Sequence, residues 1–299
     1  MQVGYIYDEI YLLHNTGFGH PESSERLVAI EEELEDLKDE LVLLEPIAVS
    51  QELLEMVHPS FHIQKIKDGE PINSDTVNSI DSYQSAITAV GAGVVAIDAI
   101  KNGEIDRAFC AVRPPGHHCT EDMAMGFCLF NNIAITAKYA QKQGYEKVFI
   151  IDFDVHHGNG TQDIFYEDDT DFYFSSHQTM CFPGTGMEDE IGIGEGEGFT
   201  SNHLLMPESG DEMILDIYEN ELQPLIDEFE PDIILVSAGY DLHESDPLAS
   251  LNVTTAGIEQ IVTNILNCAD VPFIFMLEGG YDVNALAKNV RMTIERMMR

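Results

Sequence analysis

The chain has 299 residues, 44% hydrophobic and 23% charged, which is enough apolar material for a large core and argues against disorder. Lys and Arg number 14 against 54 Asp and Glu, and the resulting charge of −40 argues against nucleic acid and anionic membranes as partners. The five cysteines form no CxxC pair, so they read as reduced thiols, and any metal site is to be sought among histidines and carboxylates.

Met1 to Leu13 lacks a basic stretch followed by an apolar core, so the expectation is a soluble, cytoplasmic protein without a signal peptide. The run Glu31, Glu32, Glu33, Glu35, Asp36 reads as a solvated face. Ala86 to Ile97 is apolar but too short to span a bilayer, and it contains two glycines. Five short apolar runs predict buried strands: Arg107–Val112, Lys147–Ile151, Asp171–Ser175, Asp232–Ser237 and Pro272–Leu277. Helical periodicity fills the intervals at Asn131–Gln143, Glu212–Phe229 and Thr255–Cys268. This alternation predicts an α/β fold, a mostly parallel sheet covered on both faces, in a single domain spanning residues 1–299.

The chemically distinctive residues follow the strands. Arg113-Pro114-Pro115-Gly116-His117-His118 follows the first, Asp152 to Gly158 completes the second, Gly239-Tyr240-Asp241 follows the fourth, and Glu278-Gly279-Gly280-Tyr281 follows the fifth. In open α/β sheets, ligands bind at that carboxyl edge. Asp154 and His156 stand two apart and project to one side; with Asp241 they form a candidate three-ligand set that leaves a position open. His117 and His118 suit acid–base work or a second pair of ligands. Asp152 suits a ring-orienting partner, and Tyr281 a donor to a polarised carbonyl. The glycine-rich segment Gly192 to Gly198 reads as a flexible loop near the pocket, because its glutamates would repel phosphate.

These motifs, together with His14-Asn15-Thr16-Gly17, His20-Pro21-Glu22, Glu25-Arg26-Leu27, Gly126-Phe127-Cys128, Phe182 to Gly186 and Asp246-Pro247-Leu248, resemble the histone deacetylase superfamily along nearly the whole chain. The family includes bacterial and archaeal amidohydrolases and acetylpolyamine amidohydrolases. The resemblance implies an arginase-like three-layer α/β/α fold with an eight-stranded, mostly parallel sheet. It implies a deacetylase with catalytic zinc on Asp154, His156 and Asp241. His118 would be the general base, His117 paired with Asp152 would stabilise charge, and Tyr281 would donate to the substrate carbonyl. It also implies a structural potassium ion on Asp152, Asp154, His156, Ser175 and Ser176.

Phe127 and Phe182 match the aromatic tunnel walls, with Gly126 and Gly280 leaving room for the acyl group. Asn159, beside His118, matches the class II branch, and Arg26 belongs to the supporting residues. Leu248 departs from the glutamate of a polyamine-preferring relative. Asp75 matches a rim aspartate that holds the substrate backbone, or is a helix N-cap. The implied partner is an acylated lysine peptide or acylated amine, with acetylpolyamine the alternative and a non-catalytic acyl-lysine binding module a more distant one. Relatives also occur as homo-oligomers. The acidity admits two readings, attraction of cationic substrates or a surface suited to a salty cytoplasm.

Overall fold

In a computed structural model describing all 299 residues, eight parallel strands form one sheet. They are β1 (Val3–Ile6), β2 (Val42–Leu44), β3 (Arg107–Cys110), β4 (Val148–Asp152), β5 (Asp171–Gln178), β6 (Thr200–Leu205), β7 (Ile233–Ala238) and β8 (Phe273–Leu277). Their spatial order is β2-β1-β3-β8-β7-β4-β5-β6, and every pairing is parallel. The chain therefore leaves β3 for β4 and later returns to lay β7 and β8 between them. That reversal of direction opens a crevice at the carboxyl ends of the central strands, where ligands bind in such sheets.

The five predicted strands are all present, with boundaries shifted by a few residues. Cover on both faces leaves β4, β7 and β8 buried at every position, and β5 is equally buried although it ends in the polar Ser-Ser-His-Gln. Strands β1, β2 and β6 escape a reading of apolar runs: the first two have four and three residues, and the third is the polar Thr-Ser-Asn-His-Leu-Leu.

Ten α-helices accompany the sheet: α1 (Glu25–Glu33), α2 (Gln51–Leu54), α3 (Ser60–Lys67), α4 (Ser82–Lys101), α5 (Asn132–Gln143), α6 (Asn159–Phe165), α7 (Asp211–Asn220), α8 (Leu222–Phe229), α9 (Thr255–Asn267) and α10 (Val283–Met297). The single helix expected over Glu212–Phe229 is two. Pro224 has no N–H to give the Asn220 carbonyl, so it is tolerated only in the first turn of a new helix, and the break falls at Glu221.

The apolar run Ala86–Ile97 lies within the 20-residue α4, which is long and apolar enough to cross a membrane by length and composition. Here most of it is buried in the protein. Its two glycines explain the packing: a Cβ on Gly91 would lie 1.7 Å from the Ile47 carbonyl oxygen, and one on Gly93 would lie 1.9 Å from Thr136 Oγ1 of α5.

The segment Gly192 to Gly198 is not beside the pocket. Ile193 N–H donates to the Tyr166 carbonyl at the end of α6, and the segment leads into the amino end of β6. Because all strands run parallel, that is the opposite edge of the sheet from the crevice.

Candidate active site

The carboxyl ends of β4 and β7 bring Asp154, His156 and Asp241 together, with potential ligand atoms within 4.8 Å of one another. His156 Nδ1 lies 3.1 Å from Asp154 Oδ1 and 3.0 Å from Asp241 Oδ2. All three residues are buried. Burial, and then the charge of Asp154, raise the Asp241 carboxyl to about 7. Two buried carboxylates facing one imidazole form an electrostatically incomplete set, and a divalent cation would complete it.

Glycines make space for the carboxylates. A Cβ on Gly239 would stand 2.0 Å from Asp154 Oδ2, and one on Gly279 would stand 2.1 Å from Asp241 Oδ2. Gly279 also donates its N–H to Asp154 Oδ2 at 2.8 Å, locking the loop after β8 over the site.

The adjacent histidines are driven apart. His117 Nδ1 lies 3.0 Å from Asp152 Oδ2, and its Nε2 lies 3.8 Å from Asp154 Oδ2. Burial opposes its protonation, but the charges of Asp152, Asp154 and Glu278 outweigh it and raise the ring to about 10. His118 is pushed well down by burial, then by the charges of His117 and His156. Its Nδ1 donates to Asn159 Oδ1 at 2.9 Å, which leaves Nε2 with a free lone pair. A pair so divided holds one proton donor and one acceptor at neutral pH.

A cavity of about 440 Å³ opens above these groups. His118, His156 and Tyr281 form part of its lining, Phe127 and Phe182 supply aromatic walls, and Gly126, Asp75 and Leu248 also border it. Gly126 has φ +54°, and a Cβ there would meet His118 Cδ2 at 2.3 Å. Tyr281 keeps its phenolic proton because burial, and then the Asp241 charge, push its ionisation well above the usual range.

The expectation for Gly280 is overturned, and of the two readings of Asp75 the rim is the one that fits. Gly280 does not make room for an acyl group: a Cβ there would meet Leu286 and Tyr240 beneath the loop, and its φ of +118° serves the turn. Asp75 caps no helix, since the next one begins at Ser82, and it sits on the cavity rim instead. The residues assigned to potassium are near neighbours, with Asp152 opposite Ser175 in the β4–β5 ladder. Asp152 also accepts from the N–H of Asp154 and from the Tyr173 hydroxyl, while Ser175 and Ser176 contact His177 and Tyr218.

Several supporting groups had no role assigned from sequence. Glu278 accepts the N–H groups of Gly116 and His117, at 2.6 and 3.2 Å, and so fixes the histidine loop. Asp246 accepts the N–H groups of Leu248, Tyr281 and Asp282, tying one cavity wall to the tyrosine. Arg26, expected from sequence among the supporting residues, donates to the Gly280 and Glu278 carbonyls at 2.7 and 2.6 Å, with its guanidinium 5.1 Å from the centre of the Tyr281 ring. Glu22 accepts from both Arg26 and Arg113. Met180 and Cys181 complete the lining. The available signal was charge inside a strand-end motif, as in Glu278-Gly279-Gly280-Tyr281, but side-chain direction was not readable there.

Residues 20–297 match the histone deacetylase domain family. The chain belongs to the histone deacetylase family. It is 38% identical over 295 residues to a probable deacetylase of Archaeoglobus fulgidus, covering 95% of this chain and 82% of that one. It is 34% identical to histone deacetylase 9 of Homo sapiens, covering 95% of this chain and 32% of the human one. The crystal structure of the HDA15 HD domain superposes with a TM-score of 0.94 at 32% identity, covering 98% of this chain and 88% of that one. The α/β fold with its eight-stranded sheet is that of the family, and family membership supports deacetylase activity.

Proposed function

We propose that the protein is a zinc-dependent amidohydrolase that removes acetyl or other short acyl groups from lysine side chains of peptides and proteins. The observation that carries this reading is the convergence of a buried His–Asp₂ ligand set, a split histidine pair and a protonated tyrosine at one aromatic-walled cavity. Zinc held by Asp154, His156 and Asp241 would supply Lewis-acid polarisation and a water of lowered pKa.

The chain's own groups supply the rest. His118, neutral with Nε2 free, takes a proton from the attacking water and returns it to the leaving amine. His117, held as a cation by Asp152, stabilises negative charge as it develops. The Tyr281 hydroxyl donates to the carbonyl oxygen, and Phe127 and Phe182 enclose the aliphatic stem and exclude water. A structural potassium ion on Asp152 and Ser175, with backbone oxygens of Asp154, His156 and Ser176, belongs to the same proposal. Leu248 borders the cavity with no charge to offer a polyamine, which favours peptide over acetylpolyamine substrates.

The test compares a fluorogenic acetyl-lysine peptide with N-acetylputrescine, using zinc-loaded protein and its Tyr281→Phe variant. Hydrolysis of the peptide, reduced on the order of 10²- to 10³-fold in the variant, is the expected result. Zinc-loaded protein that cleaves neither substrate would sink the reading.

A further inference from the structure

A second buried cluster of ligand-type side chains, His58, His62 and Cys119, shares no residue with the Asp154, His156 and Asp241 set. Its spacing would admit a metal ion, but its hydrogen bonds point elsewhere. His58 Nδ1 lies 2.8 Å from the Glu121 carbonyl, so it carries the hydrogen. Its Nε2 lies 2.9 Å from the Asn131 N–H and must offer a lone pair. Both nitrogens of the neutral ring are therefore committed, one to each end of the segment from Glu121 to Asn131. His62 Nε2 and Cys119 Sγ both donate to the Leu129 carbonyl, at 2.9 and 3.2 Å. A metal on His58 Nε2 would displace the Asn131 N–H and strand a buried donor.

We propose that His58, supported by His62, is a positioning residue that clamps this segment and thereby sets acyl-chain selectivity, and that the cluster is not a second metal site. The selectivity part rests on the deacylase reading above.

The segment's tip is Gly126-Phe127, the part that borders the cavity. Phe127 has φ +69°, a left-handed conformation that a non-glycine residue keeps only when its surroundings impose it. At the tip, Phe127 N–H donates to Thr76 Oγ1 at 3.1 Å. At the base, Asn131 Nδ2 donates to the Cys119 carbonyl at 3.0 Å, and the His58 ring bridges the two ends. Tip and base together hold the Phe127 ring edge-on to Tyr281 and His20, with centroids 5.9 and 4.8 Å apart. Without the bridge, the strained tip relaxes and Gly126, where a Cβ would stand 2.3 Å from His118 Cδ2, yields space beside that ring to larger acyl groups.

The test measures kcat/KM for acetyl-lysine and butyryl-lysine on one peptide with wild type, His58→Phe and His58→Gln. His58→Phe keeps bulk without polarity, whereas His58→Gln retains an acceptor for Asn131. The acetyl-to-butyryl ratio is expected to fall about tenfold in His58→Phe and to recover in part in His58→Gln. Parallel losses on both substrates, with the ratio unchanged, would overturn the selectivity role.

Amide exchange across Glu121–Asn131 should accelerate in His58→Phe, and unaltered exchange would overturn the clamp. Transition-metal content should stay near one equivalent per chain in every protein; a second equivalent in wild type, lost in His58→Phe, would overturn it too. If wild type cleaves no acyl-lysine, the functional reading has failed, while exchange and metal content still decide the clamp. Should His58→Phe not fold, His58→Gln carries the same comparisons.

Discussion

Two buried charged clusters flank the Glu278–Tyr281 loop, and they are built in opposite ways. On one side Glu22 is surrounded by Arg26, Arg113 and His14. Burial alone would raise its carboxyl, but Arg113 outweighs that and holds it at about 2. On the other side Asp152, Asp154, Asp241 and Glu278 gather around His117 and His156, and burial raises Glu278 and Asp241 to about 7. In the first cluster Glu22 and the carbonyls of Tyr11, His14, Glu278 and Gly280 take up the donors of both guanidiniums, so it serves as a brace that passes through Arg26 to the loop that carries Tyr281. The second is short of positive charge, which suits a cluster completed by an ion. A buried group of charges is thus read by its internal balance, not by its burial.

This contrast can be broken from either side. Asp241→Asn removes a ligand and a surplus negative charge. Activity and metal affinity should fall by more than the roughly 100-fold typical of lost outer-shell partners, while metal-free protein melts no lower than wild type. A metal-free melt several degrees lower would mean that Asp241 braces the fold.

Glu22→Gln should do the reverse. It leaves two guanidiniums buried without their carboxylate and costs about 3–5 kcal/mol, read as a lower denaturant midpoint with metal stoichiometry retained in the folded protein. A smaller effect follows from pH. His14 is lowered to about 4 by burial, so the unfolded chain binds the proton first. Its contribution is complete above pH 6.5 and is lost as pH falls toward 4, up to about 3 kcal/mol. Melting points from pH 7 to pH 5 should fall less steeply in His14→Gln than in wild type; equal slopes would show that His14 adds nothing. Glu22, with its lowered pKa, weakens the brace further only below pH 4.5.

Much of the site is legible in the sequence. The residues named for the metal set and the histidine pair follow β3, β4 and β7, where apolar runs end abruptly in charge, a pattern that survives in one dimension. The glycines were harder. Gly279 and Gly280 look alike in sequence, yet one faces Asp241 and the other faces Leu286, and only the path of the turn separates them. Asp75 was likewise ambiguous, because a short acidic side chain after serine suits a helix start as well as a rim.

By itself the sequence determined the family, the strand–helix alternation and the identities of the reacting groups, since these depend on residue type and local spacing. Tertiary structure decided what depends on distant partners. It set the placement of β6 at the sheet edge, the opposed charge states of His117 and His118, and the pairing of Glu22 with Arg113 across 91 residues of chain. The physical reason is that charge state and orientation in a buried site are set by neighbours, and those neighbours are brought together by the sheet rather than by sequence.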